Sequence, residues 1–253
     1  MPSPARSRVR TWSLVATGGF CALLLLFGIF TLAVRHVPAF YRKALEIEDA
    51  ILRTGNDQLL ESATALMNAA RHPGQWYALL TEEQINGWLA IDLAQNHPEL
   101  LPPGASDLRA RFERDRAIIA CSYEYPGLST VVSVKFDVYL AEPHVVALRV
   151  HGARAGAVPV PITPIMDGIA KAAERLNLRI EWRQAHNDPV AFITLPEAHT
   201  ATTVLKLDSL QLRDAAIYLA GRTESVSAGS PDAPAVDRHR GVATLPDEKR
   251  KVQ

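Results

Sequence analysis

Residues 12–34, a stretch of 23 residues between Arg10 and Arg35, contain no charged side chain. As an α-helix this stretch reaches about 35 Å at about 1.5 Å per residue, which exceeds the hydrocarbon core of a bilayer at about 30 Å. A chain that crosses this core must satisfy its backbone hydrogen bonds internally, and a helix does so. The stretch therefore predicts one membrane-spanning helix over residues 12–34, and this constrains where the rest of the chain is placed.

Basic residues flank the predicted span on both sides. They are Arg6, Arg8 and Arg10 before it, and Arg35, Arg42 and Lys43 after it. Because the two groups nearly balance, the orientation depends on the leader, residues 1–11, which is short and basic and is followed by the first apolar segment. The pattern is typical of a signal-anchor. We expect a single-pass protein of the cell membrane, with a cytoplasmic leader and the bulk of the chain extracytoplasmic.

A cleaved signal peptide is the alternative for the same segment. Thr31, Leu32 and Ala33 resemble a small-residue cleavage site, but the apolar stretch is longer than the roughly 7–15 residues of a secretory signal. Cys21 follows Phe20, which is unsuited to lipoprotein processing, so we interpret Cys21 as a small apolar residue of the span. Cys121 is predicted to be a buried structural cysteine.

Residues 38–71 carry an apolar stripe with helical spacing, which predicts a helical stalk after the span. Residues 54–57, with the sequence Thr-Gly-Asn-Asp, are expected to interrupt it and begin a second helix. Such a stalk holds the next domain above the bilayer. The alternative is a helix that packs back onto that domain.

Residues 75–221 predict an extracytoplasmic α+β domain. A short strand over residues 75–80 is followed by a capping box, in which Thr81 and Gln84 satisfy each other's backbone amides, and by a helix from Glu82 to Gln95. Asp92 lies within the apolar arc of this helix, where a carboxylate either bonds a neighbouring strand or has a functional role.

Alternating strands follow, with turns at residues 114–116, 126–127 and 142–143. The clearest alternation predicts one continuous apolar sheet face, formed by Val132, Val134, Phe136, Val138, Leu140, Val146, Leu148 and Val150. This face is either a dry core or the lining of a groove for an apolar, lipid-like ligand. Its residues are the candidate ligand-binding residues of the chain.

The remaining pattern completes the predicted domain. The two prolines of residues 156–161 exclude a central strand, and Thr163 is expected to cap a helix with Pro164 at its first position. Two further strands and a last hairpin lead to residue 221, and residues 222–253 are expected to be a disordered tail. The predicted fold class is α+β, with a mainly antiparallel sheet and two packed helices after the membrane helix and stalk.

The sequence contains none of the common catalytic or nucleotide-binding signatures, such as HExxH, GxSxG, CxxC, the P-loop or GxGxxG. His144 and His151 fall on opposite faces of extended chain, which argues against a shared metal, and His186 with Asp188 fits a turn. With 27 basic and 27 acidic residues the net charge is zero, which argues against a nucleic-acid partner. We expect no enzymatic activity, no metal and no cofactor.

One local cluster of arginines remains. Arg109, Arg111, Arg114 and Arg116 form it within eight residues. We interpret the cluster as a solvated strand face and turn, with contact to anionic lipid headgroups as the alternative.

The segment Leu80-Thr81-Glu82-Glu83-Gln84-Ile85-Asn86, the sheet after it and the Gly-x-x-Pro-x-Pro stretch at residues 156–161 resemble the YpmS-type family. These are small bacterial proteins with an N-terminal anchor and an extracytoplasmic domain of unassigned function. The resemblance covers about residues 75–221 and implies an architecture but no reaction and no site residues. The long stalk and the long C-terminal segment depart from the family pattern.

Three hypotheses for function follow from the sequence. The first is an anchored, non-catalytic module that binds an apolar ligand or a membrane-protein partner. The second is a structural or assembly component of an envelope complex that uses the stalk for contact. The third is a hydrolase whose site is unrecognised, built from residues such as Asp92, His151 or His186.

Overall fold

The computed structural model describes residues 5–186, 188–195 and 203–225, with side chains from residue 20 onward except that of Leu128. Residues 1–4 of the predicted leader and the predicted tail beyond residue 225 lie outside the described residues. The helices are α1 (Ala5–Val34), α2 (Ala39–Leu45), α3 (Asp49–Ala70), α4 (Glu82–Ala90), α5 (Asp92–Asn96) and α6 (Thr163–Arg175). The strands are β1 (Gly74–Thr81), β2 (Ala105–Glu113), β3 (Arg116–Tyr125), β4 (Leu128–Glu142), β5 (Val145–Ala155), β6 (Val158–Val160), β7 (Arg179–Ala185), β8 (Asp188–Thr194), β9 (Thr203–Arg213) and β10 (Ala216–Ser225).

The strands form two antiparallel sheets. The larger has seven strands in the order β2-β3-β4-β5-β8-β7, with the short β6 paired to the end of β5, and the smaller has the order β1-β10-β9. The first and last strands pair along their length, from Gly74 opposite Thr223 to Thr81 opposite Ala216. The predicted α+β class with a mainly antiparallel sheet is confirmed, although the strands divide between two sheets.

The core lies between one face of the large sheet and the elements that cover it. One hydrophobic cluster joins α4 and α5 to both sheets through Leu89, Leu93, Ala110, Phe112, Ala117 and Leu212. A second joins β1, β5 and β9 through Trp76, Val146 and Leu207, with Leu66 and Ala70 of α3 packed against it. Apolar burial of this kind is the main driving force for folding, so the small sheet and the helices fix the orientation of the large sheet.

Helix α3 packs onto the domain instead of standing clear of it. It crosses α4 where Gly55 faces Glu83 and Gly87 faces Asn56, and a Cβ added to Gly55 would lie 2.7 Å from the Glu83 carbonyl oxygen. Glycines allow two helix backbones to approach closely. The predicted interruption at residues 54–57 is wrong, because α3 continues through them. Of the two alternatives for residues 38–71, packing onto the domain is the one observed.

Side chains of α4 also cover part of the β2 edge of the large sheet. The Asn86 Nδ2 atom donates to the Ala110 carbonyl oxygen at 2.9 Å, and the Ala110 amide donates to Asn86 Oδ1 at 2.7 Å. One turn earlier, the Glu82 carboxylate accepts from the Phe112 amide at 2.8 Å. Two residues four apart on one helix face thus replace the missing neighbour of β2, and an edge covered in this way cannot pair with another chain.

Three details of the prediction are corrected. The helix expected over Glu82–Gln95 breaks at Ile91, whose φ of −103° and ψ of −68° separate α4 from α5. The described part of the domain therefore has three α-helices instead of two, besides a 3-10 turn at Pro98–Leu100. Thr163 is the first residue of α6 and makes no capping bond, because the N-cap position falls on Ile162. Residues 222–225 belong to β10 and not to a tail. The capping box of Thr81 and Gln84 is confirmed.

Among the described residues, no single helix is long and apolar enough to span a membrane, whereas Phe20–Val34 and Ala39–Leu45 satisfy these requirements together and meet at an angle of 48°.

Candidate functional site

The C-terminal end of α1 is joined to the large sheet by hydrogen bonds. The Thr130 hydroxyl donates to the Val34 carbonyl oxygen at 2.6 Å, and the Ala157 amide donates to the Ala33 carbonyl oxygen at 2.8 Å. The last carbonyls of a helix have no partner within the helix, and here the domain provides two. Val34 itself is only 7 % exposed. We call this contact the joint.

Gly156 allows the end of α1 to approach the domain closely at the joint. Its φ of +60° lies in the left-handed region, and a Cβ on it would overlap the carbonyl oxygens of Ala33 and Val34. Glycine alone combines this backbone conformation with so close an approach at little cost. The sequence singled out residues 156–161 for their prolines, whereas the glycine that precedes them makes the critical contact.

Helix α2 fixes the chain on the other side of a short linker, residues 35–38. Tyr41 is fully buried, and its hydroxyl donates to the Asp107 carbonyl oxygen at 2.8 Å and lies 3.0 Å from Ser122 Oγ. Arg109, 5 % exposed, donates through Nε to the Ala44 carbonyl oxygen at 3.3 Å. The linker is therefore held at both ends, and this argues against free motion of α1 relative to the domain.

A cleft of about 230 Å³ lies between the linker and the outer face of β3, β4 and β5. Its lining residues are His36, Pro38, Phe40, Ile118, Ser133, Lys135, Arg154, Gly156 and Ala157. Three of them are basic and none is acidic. We call this the basic cleft. It touches the joint directly, since Gly156 and Ala157 belong to both.

A second cleft of about 220 Å³ lies on the other side of Phe40. It is lined by Phe40, Lys43, Ala44, Ile47, Glu82, Asn86, Ala110 and Arg111. The Glu82 carboxylate lines this cleft together with the cations of Lys43 and Arg111. Both Glu82 and Asn86 already bond to β2. This cleft is therefore electrostatically mixed and its polar groups are occupied by structural bonds.

The arginine cluster of the sequence is divided among separate partners. Arg109 is buried against α2, as described above. Arg111, Arg114 and Arg116 lie 3.8, 3.9 and 3.5 Å from carboxylate oxygens of Glu113, Asp214 and Asp137. Exposed ion pairs of this kind contribute little to stability, but they neutralise the cluster. The three exposed arginines agree with the solvated strand face and turn expected from the sequence, whereas the expectation is wrong for Arg109, which is buried.

His151 lies in a polar cluster outside the two clefts. It is the extra residue of a β-bulge between β4 and β5, because Phe136 pairs with Val150 and Lys135 with Gly152. A bulge redirects a side chain, and the His151 Nε2 and Nδ1 atoms lie 2.6 Å from Asp137 Oδ2 and 3.1 Å from Asp188 Oδ2.

Both ring nitrogens of His151 are thus engaged by carboxylates. The sequence placed Asp188 with His186 in a turn and did not connect it with His151. Among the described residues, no group of three or more potential ligands is arranged to hold a metal ion.

Asp92, the third titratable candidate, has local partners. The Asn96 amide nitrogen donates to its Oδ1 at 2.5 Å, and His97 Nε2 lies 3.7 Å from its Oδ2. Both partners lie within the next five residues of the chain, so the expected bond to a neighbouring strand is not formed. Among the described residues, no hydrogen bond or ion pair joins the candidates Asp92, His151 and His186 to one another.

The predicted apolar face is one continuous face of β4 and β5, as the register shows. Val132, Val134, Phe136, Val138 and Leu140 lie opposite Ala155, Ala153, Val150, Leu148 and Val146. Five of the eight candidate residues pack within the two core clusters, namely Phe136, Val138, Leu140, Val146 and Leu148, and Val150 is 1 % exposed. Neither cleft described above is lined by any of the eight.

Burial raises the pKa of two titratable groups near the joint. Desolvation raises the pKa of Cys121 to about 11. Burial also raises the pKa of Tyr41, against the opposing effect of its hydrogen bond with Ser122. Because desolvation disfavours the charged form, both groups stay neutral at physiological pH. The sequence predicted a buried structural cysteine; Cys121 is half-buried, and its thiolate is scarce at that pH.

Comparisons with protein-family models, with curated proteins and with solved structures give no match. The resemblance to the YpmS-type family stays a prediction.

Proposed function

We propose that this protein is a single-pass, non-catalytic module of the cell membrane, anchored by residues 12–34, whose extracytoplasmic domain is held at the bilayer surface and binds lipid or a membrane-protein partner there. The observation that carries the proposal is the joint. A helix that served only to retain the domain would need no fixed contact with it. Here the last turn of α1 instead bonds to Thr130 and Ala157.

The joint also supports retention of the helix over cleavage. The expected cleavage site ends at Ala33, whose carbonyl oxygen accepts from Ala157, and the next residue, Val34, is buried. Cleavage after Ala33 would remove the first contact and place a charged amino group in the buried position. Burying an unpaired charge is costly, so a retained anchor fits the geometry better.

The His151 cluster supports a non-catalytic role. In a nucleophilic triad one histidine nitrogen bonds the acid and the other receives the proton of the nucleophile. His151 has a carboxylate on each nitrogen, Asp137 and Asp188, so neither nitrogen is free for a nucleophile. The arrangement instead crosslinks β4, β5 and β8.

Site-specific labelling in intact cells tests the proposed topology. With Cys21→Ser and Cys121→Ser as background, Gln58→Cys, exposed on α3, should react with a membrane-impermeant maleimide. The matched variant Ser7→Cys, in the leader, should react only after permeabilisation. The reverse pattern, or release of the protein from membranes by alkaline carbonate, would overturn the proposal.

A second function, assembly of an envelope complex, is favoured by one observation. Helix α3 exposes Ile51 by 42 %, Leu60 by 45 % and Met67 by 58 %, and the last two, seven residues apart, lie on one side of the helix. Such side chains gain by burial against another apolar surface. Under this alternative, Leu60→Gln with Met67→Gln would abolish the crosslinked complexes that the unaltered protein forms in its native membrane.

A further inference from the structure

The basic cleft lies where α1 meets the domain. His36 follows Val34 by two residues, and Gly156 and Ala157 line the cleft while contacting the last turn of α1. If residues 12–34 cross the bilayer, as in the function proposed above, Val34 marks the end of the apolar span. The cleft then lies at the depth of the lipid headgroups, which flank the hydrocarbon core.

The cations of the cleft are positioned by strand register. Ser133 on β4 is opposite Arg154 on β5, and Lys135 is opposite Gly152. Lys135 and Arg154 are therefore diagonal neighbours on one sheet face, a separation within the reach of long side chains. His36 enters the same cleft from the linker.

These cations have no competing anion within the part of the chain that the structure describes. No carboxylate lines the basic cleft, and neither Lys135 nor Arg154 has an ion-pair partner among the described residues. Arg111, Arg114 and Arg116, by contrast, each have one. An uncompensated pair of cations in a concave site favours an anion.

The other walls of the cleft match an amphipathic ligand. The Ser133 hydroxyl, on a residue only 8 % exposed, is a hydrogen-bond donor beside the two cations. Pro38, Phe40 and Ile118 provide apolar surface. A phosphodiester next to the apolar part of a lipid would place its charge on Lys135 and Arg154 and its glycerol backbone along these walls.

We infer that the basic cleft binds the phosphate of an anionic phospholipid headgroup, an inference that rests on the proposed membrane anchoring. Each basic residue beside an anionic lipid surface contributes roughly fivefold in affinity. Loss of Lys135 and Arg154 together should therefore lower the preference for anionic over zwitterionic lipid by about thirtyfold.

Native mass spectrometry of the full chain in detergent micelles tests this inference. The protein is mixed with equal amounts of dioleoyl phosphatidylglycerol and dioleoyl phosphatidylcholine, and the ratio of the two lipid adducts is measured. The test variant combines Lys135→Gln with Arg154→Gln. The charge-matched control combines Lys171→Gln on α6 with Arg179→Gln on β7.

Neither control residue lines the basic cleft, and Arg179 is remote from the joint. Arg179 pairs with Thr194, which pairs with Val145 at the start of β5, whereas Ala155 at the end of β5 precedes the joint. The two ends of β5 are about 33 Å apart at about 3.3 Å per residue. The control thus removes the same charge without altering the cleft.

The expected result is a phosphatidylglycerol preference that the test variant loses and the control keeps. Equal retention of both lipids, a preference that survives in the test variant, or an equal loss in the control would overturn the inference. Displacement of phosphatidylglycerol by millimolar inorganic phosphate would also overturn it, because it would assign the cleft to a free phosphate. Since micelles have no sidedness, this result is independent of the labelling experiment on topology.

Discussion

At the scale of single residues, three buried side chains of this protein use backbone groups as hydrogen-bond partners. Tyr41 bonds to the Asp107 carbonyl oxygen, Asn86 to both backbone groups of Ala110, and Arg109 to carbonyl oxygens of Leu108 and Ala44. A side chain used in this way closes a helix end or a sheet edge and has little capacity left for a ligand. This is why these three polar residues are structural.

Substitution of Asn86 measures how much such a side chain contributes to stability. Asn86→Ala leaves the buried amide and carbonyl of Ala110 without partners, and each stranded group costs about 1–3 kcal/mol. We expect the free energy of unfolding of the full chain in micelles, measured by chemical denaturation, to fall by that order. The control is Asn96→Ala, an exposed residue whose loss should change stability by less than about 0.5 kcal/mol. Equal effects of the two substitutions would contradict the role of Asn86.

Cys121 gives a prediction with a pH dependence. Burial raises the pKa of its thiol to about 11, and only the thiolate reacts. With Cys21→Ser as background, Cys121 should react with iodoacetamide at about pH 8 roughly a hundredfold more slowly in the folded protein than in denaturant.

The same shift has a consequence for stability. The folded state keeps the thiol proton of Cys121, whereas the unfolded state releases it above about pH 9. The free energy of unfolding therefore has its full contribution from Cys121 at lower pH and loses it as the pH rises towards 11. Cys121→Ser should remove that part of the alkaline destabilisation. A folded-state rate equal to the denatured rate would contradict the partial burial of Cys121.

At the scale of elements, the features that follow from local periodicity were predicted well. The alternation of β4 and β5 fixed their faces, because a slip of one residue would expose every apolar side chain, and the turns at residues 114–116 and 126–127 follow from local chemistry. The break expected in α3 was wrong because the conformational cost of Gly55 is offset by its contact with α4, which is 28 residues away along the chain. No local pattern contains that information.

The joint could not be predicted for a related reason. It is made of backbone carbonyls of Ala33 and Val34, which carry no sequence signal, and of Thr130 and Ala157, which approach them only through the register of β4 and β5. The basic cleft is likewise a product of register. The alternation of β4 places Lys135 on the face opposite that of Val134 and Phe136, but its proximity to Arg154 and His36 depends on the fold.

Substitution of Gly156 tests the contact between α1 and the large sheet. Gly156→Ala adds a Cβ at a left-handed φ, which costs about 1–2 kcal/mol, and it overlaps the carbonyl oxygens of α1. We expect trypsin to cut the linker after Arg35 at least roughly tenfold faster, because tenfold in an equilibrium corresponds to about 1.4 kcal/mol. Gly168→Ala is the control, since a Cβ there meets no atom within 4 Å. Unchanged cleavage in Gly156→Ala would count against the joint.

At the scale of the whole molecule, the described chain consists of helix α1 followed by a domain that closes on itself. β1 and β10, its first and last strands, pair with each other, and α2 and α3 pack onto the domain instead of extending from it. The domain therefore has little freedom to move away from the end of α1. Under the proposed membrane anchoring, this arrangement would keep one face of the large sheet, with its basic cleft, at the bilayer surface.

Central to this account is that α1 is held in a fixed position relative to the domain. The distance between α1 and the domain, measured in nanodiscs by double electron–electron resonance, tests this claim most directly. With Cys21→Ser and Cys121→Ser as background, spin labels are placed at Leu26→Cys on α1 and Gln58→Cys on α3, both exposed. A reference pair at Ser129→Cys and Arg179→Cys lies within the large sheet. We predict a single distance peak for the first pair that is no broader than that of the reference pair. A broad distribution, as a flexible tether would produce, would contradict the account.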